Sequence, residues 1–416
     1  MGIQSEHDGQ YTTDWNKALA KRTERMQSSI IRELLKFGTI PDLISFGGGM
    51  PAPELFPVRD FQDACEWVLS HDAQVALQYA PTEGLPALKD WVVQAVHRYD
   101  LPAGQKNVLF TNGSQQALDL IGRIFIDDGD KIVAGRPTYL GAIQAWDLYG
   151  PTWVTVAEDD DGMCMEELEL VLAANPGVKF IYVLPNFHNP AGTTMALERR
   201  YQLVDLAARH GAFIIEDDPY GELRFEGEDI IPICALHKEN TIYLSTFSKT
   251  LAPSLRLGWI IAPEAVIARL VQAKQGADLH TSNLIQYLAY DICQRGLVRA
   301  HVREIRKVYH ERRDVMLKAM EEQFPPGMTW TRPQGGLFLW VRMPEWMDSE
   351  RLLQIAIEEK VVFVPGRVFY PGGNDGRNCM RLNFSYCPPP TIEEGIRRLG
   401  RAMKRLMQEL GRAPQP

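Results

Sequence analysis

KFIYVLPNFHNPAGTTMALERRYQLVDLAARHGAFIIEDDPYGEL, residues 179–223, holds a strand, a helix and a second strand in succession. KFIYVLP (179–185) and AFIIED (212–217) are apolar at consecutive positions, as strands buried on both faces are. ALERRYQLVDLAARHG (196–211) places its apolar residues at helical spacing and ends on a glycine. A strand followed by a helix and a second buried strand is a parallel crossover unit.

The same alternation extends outward in both directions. NVLFT (107–111) precedes SQQALDLIGRIFI (114–126), and KIVAG (131–135) precedes LGAIQAWDLY (140–149). TIYLSTF (241–247) and GWIIAP (258–263) add two more apolar runs. The pattern predicts a mostly parallel α/β sheet covered by helices. Beyond 264 a long helical region rich in Arg, Glu and Lys (264–323) leads to LFLWVRM (337–343), SERLLQIAIEEK (349–360), MRLNFSY (380–386) and a terminal amphipathic helix (391–410). That part reads as a smaller α+β domain. The organisation expected is an N-terminal arm and helix (1–40), a large domain (41–300), and a small C-terminal domain (301–416) to which the arm contributes.

The chain has 416 residues and a formal net charge of -9, so nucleic-acid binding is not expected, because that needs clustered basic residues. Its six cysteines form no CxxC pair, which leaves neither a zinc signature nor a disulfide frame, and no metal is expected. The N-terminus lacks an apolar signal core and no apolar run reaches membrane-spanning length. The expectation is a cytoplasmic enzyme without a membrane or nucleic-acid partner.

Ligands of open α/β sheets bind beyond the carboxyl ends of the strands, and five groups of residues stand there or nearby. In TFSKTLAPSLRLG (246–258), Lys249 follows an apolar strand between hydroxyls. A Schiff-base lysine must be held rigidly and shielded, while Thr246, Ser248 and Arg256 suit a phosphate dianion. Read alone, a serine–lysine pair is more often a solvated loop. In TNGSQQALDL (111–120), Ser114 and Gln115 open a helix, where free N–H groups favour an anion or where Ser114 simply caps the helix. Asp217 ends a very apolar strand and needs a partner: a protonated pyridine nitrogen, a strand-end donor or an arginine. Tyr220 is placed to reach the same ligand. Asn189, before Pro190, offers an amide to a cofactor oxygen or belongs to an ordinary turn. Arg381, inside an apparent strand, needs an anion, either a substrate carboxylate or an internal acid.

Asn189–Pro190, Asp217-x-x-Tyr220, Ser248–Lys249, Arg256 and Arg381 stand in one order that resembles the fold type I pyridoxal-phosphate aminotransferases of class I/II. ISFGGGMPAPELFP, LQYAPTEGLPALK, TNGSQQALDL, QAKQGADLHT and RPQGGLFLW are similar to the 2-aminoadipate, kynurenine and aromatic aminotransferases, and the resemblance runs from about residue 20 to 410. It implies a seven-stranded-type sheet, pyridoxal 5'-phosphate as cofactor, and a homodimer with shared sites. It further implies Lys249 as the Schiff-base lysine and proton carrier, Asp217 on the pyridine nitrogen, and Asn189 and Tyr220 on the phenolic oxygen. Tyr139 would stack on the ring, and Ser114, Gln115, Thr246, Ser248 and Arg256 would hold the phosphate. Tyr79 would reach the neighbouring subunit's phosphate. Arg381 would hold the substrate carboxylate, with Asn189, Gly48 and Gly49 lining the pocket. Arg32 matches an arginine for acidic side chains, or is a surface arginine on an amphipathic helix. Ala191 and Thr246 depart from the commoner Thr/Ser and Ser of this family. The implied reaction is ping-pong transamination from an L-amino acid (2-aminoadipate, aromatic, kynurenine or branched-chain) to a 2-oxo acid, 2-oxoglutarate first. A β-lyase or decarboxylase on the same scaffold is the alternative, and a non-catalytic ligand sensor a remoter one.

Overall fold

The structure is a computed structural model and describes residues 13–26, 40–97, 99, 101 and 103–412. Arg32 and the expected helix at 28–36 lie outside the described residues.

Eight strands form the main sheet: β1 (Val108–Thr111), β2 (Lys131–Arg136), β3 (Thr152–Asp159), β4 (Gly162–Met163), β5 (Phe180–Val183), β6 (Phe213–Asp217), β7 (Thr241–Thr246) and β8 (Gly258–Ile261). Their order is β1-β8-β7-β6-β5-β2-β3-β4. The run β7-β6-β5-β2-β3 is parallel, and β8 pairs antiparallel with both β1 and β7. Seven strands are therefore substantial, and β4 is a two-residue hairpin return on the edge. Strands β1, β5, β7 and β8 are buried at every position, as their unbroken apolar runs require. β3 does not stand out in the sequence because it lies near the edge, half-exposed, and ends in Glu158 and Asp159.

Helix α1 (Ser114–Phe125) follows β1, α2 (Leu140–Trp146) follows β2, and α3 (Leu197–His210) joins β5 to β6. The helical region expected over 264–323 is three helices: α4 (Glu264–Asp278), α5 (Asn283–Gln294) and α6 (Leu297–Gln323). The breaks fall at Leu279 and Gly296, both with positive φ (63° and 72°).

A second, antiparallel sheet has the order β9-β10-β12-β11, from β9 (Thr329–Trp330), β10 (Phe338–Arg342), β11 (Val364–Pro365) and β12 (Cys379–Asn383). The terminal helix α7 (Pro389–Glu409) packs along α6. One cluster of buried side chains runs from Ile215 and Ile260 of the main sheet to Leu339 and Leu382 of the second. Ile44–Ser45 pairs in parallel with Val361–Val362, which carries the following Gly47–Gly49 loop to the seam between the sheets. The carboxyl ends of β5, β6 and β7 face the same seam, so residues distant in sequence converge there.

Candidate functional site

Asp217 is the last residue of β6 and is 1% exposed. The Tyr182 hydroxyl, from β5 alongside, donates to its Oδ2 at 2.9 Å, while Oδ1 is buried without a partner among the described residues. Burial, with the neighbouring Asp218, pushes the Asp217 carboxyl up to about 7, against the pull of the Tyr182 hydrogen bond. An acid so placed calls for a cationic donor. Its sequence neighbours point elsewhere, as strand alternation requires. Glu216 accepts the N–H groups of Ile233 and Cys234, and Asp218 is held by Asn186, Gly221 and Tyr243.

Lys249 follows β7, and its Nζ donates to the Gly49 carbonyl at 2.6 Å. Among the described residues no carboxylate pairs with it. Burial, aided by Arg381 and Arg256, lowers its amine to about 8. Arg381, on β12 and 1% exposed, donates from Nη1 to Asn189 Oδ1 (2.8 Å) and from Nη2 to the Gly47 carbonyl (2.7 Å). Its Nε is buried without an acceptor, and the rings of Phe338 and Phe369 lie 4.1 and 5.1 Å from the guanidinium. Burial brings Arg381 down to about 10. A buried arginine with neutral partners and a free N–H is a receptor for a planar anion.

Asn189 lies at the centre. Its Oδ1 receives Arg381 and its amide donates to the Tyr220 hydroxyl at 3.3 Å. The Tyr220 phenol is raised by burial first and by Tyr139 next, so it is a donor at neutral pH. Tyr139 precedes α2, and its phenol is raised to about 12, chiefly by burial. The Gln115 amide donates to the Gly141 carbonyl at 2.8 Å, fixing the start of α2 to that of α1.

The third part is a polar cup. Gly113, with φ 77°, opens the twelve-residue α1, whose first N–H groups at Ser114 and Gln115 have no helical acceptor. Arg256 donates from Nη2 to the Asn112 carbonyl at 3.2 Å, and a side chain at Gly113 would collide with its guanidinium. Thr246 Oγ1 accepts the Ser248 N–H (3.1 Å) and lies 2.9 Å from Ser248 Oγ and 3.0 Å from the Leu257 carbonyl. Thr246 thus braces the turn and holds the Ser248 hydroxyl beside it. A Cβ at Gly258 would fall 2.9 Å from the backbone of Gly113, Ser114 and Ser245, so this close approach requires glycine.

Several contributors were not evident in the sequence. Tyr182 is one residue of an apolar strand run in the sequence. Lys274, fully buried, donates to Gln116 and Asp278, while Asn112 and Gln116 donate to the Asp278 carboxylate. This network ties the 112–116 turn to the end of α4, and Lys274–Asp278 at i,i+4 is its faint sequence signal. Gly49 faces the seam through its carbonyl and the contact a Cβ there would make with Phe338, while a Cβ at Gly48 would meet only Met50. Tyr79 stands apart from the cluster within one chain, 79% exposed.

The donor set matches pyridoxal 5'-phosphate: an unpartnered carboxylate oxygen, a phenol and an amide, a lysine of lowered basicity, and an anion cup with Arg256. Residues 54–399 match the family model for aminotransferase class I and II. An aromatic-amino-acid aminotransferase of Thermococcus litoralis is 44% identical over 96% of this chain and 97% of its own. The crystal structure of a multiple substrate aminotransferase from Thermococcus profundus is 41% identical with a TM-score of 0.91, covering 95% of this chain and 100% of that one. That of an alpha-aminoadipate aminotransferase from Thermus thermophilus, complexed with N-(5'-phosphopyridoxyl)-L-leucine, is 39% identical with a TM-score of 0.89 over 95% and 100%. The chain therefore belongs to the class I and II aminotransferases, among the aromatic, 2-aminoadipate and kynurenine enzymes, and is a transaminase whose cofactor is pyridoxal 5'-phosphate.

Proposed function

We propose that the enzyme takes L-amino acids with aromatic, branched or 2-aminoadipate-like side chains as donors and 2-oxoglutarate as acceptor, in a ping-pong cycle. The observation that carries this reading is that two cations, the half-buried Lys249 and the buried Arg381, meet at one seam and donate, among the described residues, to the Gly49 carbonyl, Asn189 and the Gly47 carbonyl. One suits an amine-exchange centre and the other an α-carboxylate.

Bound pyridoxal phosphate supplies an aldehyde for amines and a pyridinium ring that withdraws electron density from the substrate Cα. Asp217 Oδ1 would receive the ring N–H, Asn189 and Tyr220 would donate to the phenolic oxygen, and Tyr139 would cover the ring. Ser114, Gln115, Thr246, Ser248 and Arg256 hold the phosphate. Arg381 orients the substrate carboxylate, with Asn189 behind it and Gly48 and Gly49 alongside. Lys249, lowered to about 8, would hold and move the proton at its Nζ, a role worth roughly 10²–10⁴-fold in rate.

The site is completed in this reading by Tyr79 of the partner in a homodimer. Exposed apolar side chains support it: Val75, Leu77, Tyr79 and Leu279 are each more than half exposed. The fold carries no helix long and apolar enough to cross a membrane among the described residues, in keeping with a cytoplasmic enzyme. Arg32 selects acidic side chains in the same reading. The test is single-turnover transamination with one amino acid at a time and no acceptor, for the parent and Arg32→Ala. Conversion ranked by side chain, with Arg32→Ala weakening only acidic donors, is expected. Ammonia or CO₂ release in place of a 2-oxo acid would overturn the reaction, and equal losses across donors would overturn the role of Arg32.

A further inference from the structure

His188 precedes Asn189 and takes no part in the site described above, yet it is 3% exposed. Its Nδ1 lies 3.2 Å from Glu158 Oε2 at the end of β3, and the Glu158 side chain is 6% exposed. That Oε2 has no other partner. Nδ1 also faces the Ala191 N–H at 3.4 Å. The backbone of His188 closes the same turn, donating to the Thr193 carbonyl (2.8 Å) and accepting from the Gly192 N–H (2.6 Å).

An imidazole nitrogen that faces a backbone N–H presents its lone pair. A carboxyl oxygen 3.2 Å from that lone pair is satisfied only if it bears a proton. The surroundings agree: a Cβ at Gly135 would collide with the Glu158 carboxyl, so β2 packs directly against it. The charges nearest Glu158 are Asp159 on its own strand and Arg199 on α3, and these two pair with each other at 2.5 Å. Burial holds Glu158 up to about 8 and His188 down to about 3, both neutral.

We propose that Glu158 is a neutral carboxylic acid that donates to His188 Nδ1, and that this pair is a positioning device holding the 188–192 turn so that Asn189 meets Arg381 and Tyr220. The mechanical part rests on the role given to Asn189 above. If the turn loosens, the Asn189 amide loses register with the phenolic oxygen, and its Oδ1 releases one arm of Arg381.

The test uses the full-length apo and holo enzyme. In the apo enzyme, wild type minus Glu158→Gln should show one carboxylic-acid carbonyl band in the infrared at pH 7, and its absence would overturn the neutral acid. Glu158→Gln keeps a donor and should bind pyridoxal phosphate within about threefold of wild type. Glu158→Ala and the shortened Glu158→Asp should weaken binding by about tenfold, the cost of leaving a buried acceptor unpaired. Both should also move the pH midpoint of the holoenzyme's visible band by about half a unit, because the phenolic oxygen loses a donor. A purely structural role leaves that midpoint in place, and an unmoved midpoint in Glu158→Asp would overturn the positioning claim. If Glu158→Ala does not fold, the Gln and Asp variants carry both readouts. Failure of wild-type half-transamination would count against the proposed function alone, since the infrared band is read on apo protein.

Discussion

Replacing Arg381 with lysine keeps the positive charge and removes the fork. The guanidinium has five N–H donors. One goes to Asn189 Oδ1 and one to the Gly47 carbonyl, leaving the unpartnered Nε–H and the second hydrogen of each terminal nitrogen. Those remaining hydrogens can grip a carboxylate with two parallel bonds, and Phe338 and Phe369 hold the plane in place. A hydrogen bond to a charged group contributes about 1.5–3 kcal/mol, so losing one arm should lower kcat/KM by about 10–150-fold. Arg381→Ala loses both arms and should cost about 10²–10⁴-fold by the same reckoning. The assay is stopped-flow conversion of the cofactor band by an amino acid, against the same conversion by the corresponding amine that lacks the carboxylate. The slow reaction of the amine should be unchanged within about twofold, because it has no group for the fork. An equal fall for amine and amino acid, or no fall for either, would refute the assignment.

Gly258→Ala would drive a methyl group into the backbone of Gly113, Ser114 and Ser245, at 2.9 Å before relaxation. Apo-enzyme affinity for pyridoxal phosphate should fall about tenfold or more at a cost of about 1–3 kcal/mol in stability, read by fluorescence titration and Tm. Asp217→Asn should reverse the usual order of stability in the apo form. The Asp217 carboxyl stands at about 7 folded and near 4 unfolded. Both states are protonated below about 4, so the penalty for burying the charge is absent there, and it grows up to about 7 and stays constant above. Apo Asp217→Asn should therefore match wild type near pH 4 and exceed its Tm at pH 8. The holo variant should lose most of its turnover, and a Tm difference independent of pH would contradict the buried-acid argument.

The central parallel strands were legible because burial on both faces leaves unbroken apolar runs, as in Phe180–Val183 and in Phe213–Ile215 ahead of Glu216 and Asp217. β3 was not, because Thr152–Asp159 faces solvent at both ends, and neither were the breaks inside 264–323, where a positive φ at Leu279 carries no composition signal. Asp217 and Arg381 stood out as charges in apolar runs, which is costly without a ligand, and Lys249 through Thr246, Ser248 and Arg256 around it. Tyr182, Lys274 and the Glu158–His188 contact were invisible, since they join residues across strands that only the folded register brings together. Arg32 stays where the sequence left it, outside the described residues.

The account stands on Lys249 as the residue that binds the cofactor covalently. Borohydride reduction of the purified holoenzyme, followed by peptide mass mapping, places a stable phosphopyridoxyl mass on one lysine. The prediction is a single modified peptide containing Ser248–Lys249–Thr250, with none in Lys249→Ala. A label on any other lysine, or no label on a yellow protein, would contradict it.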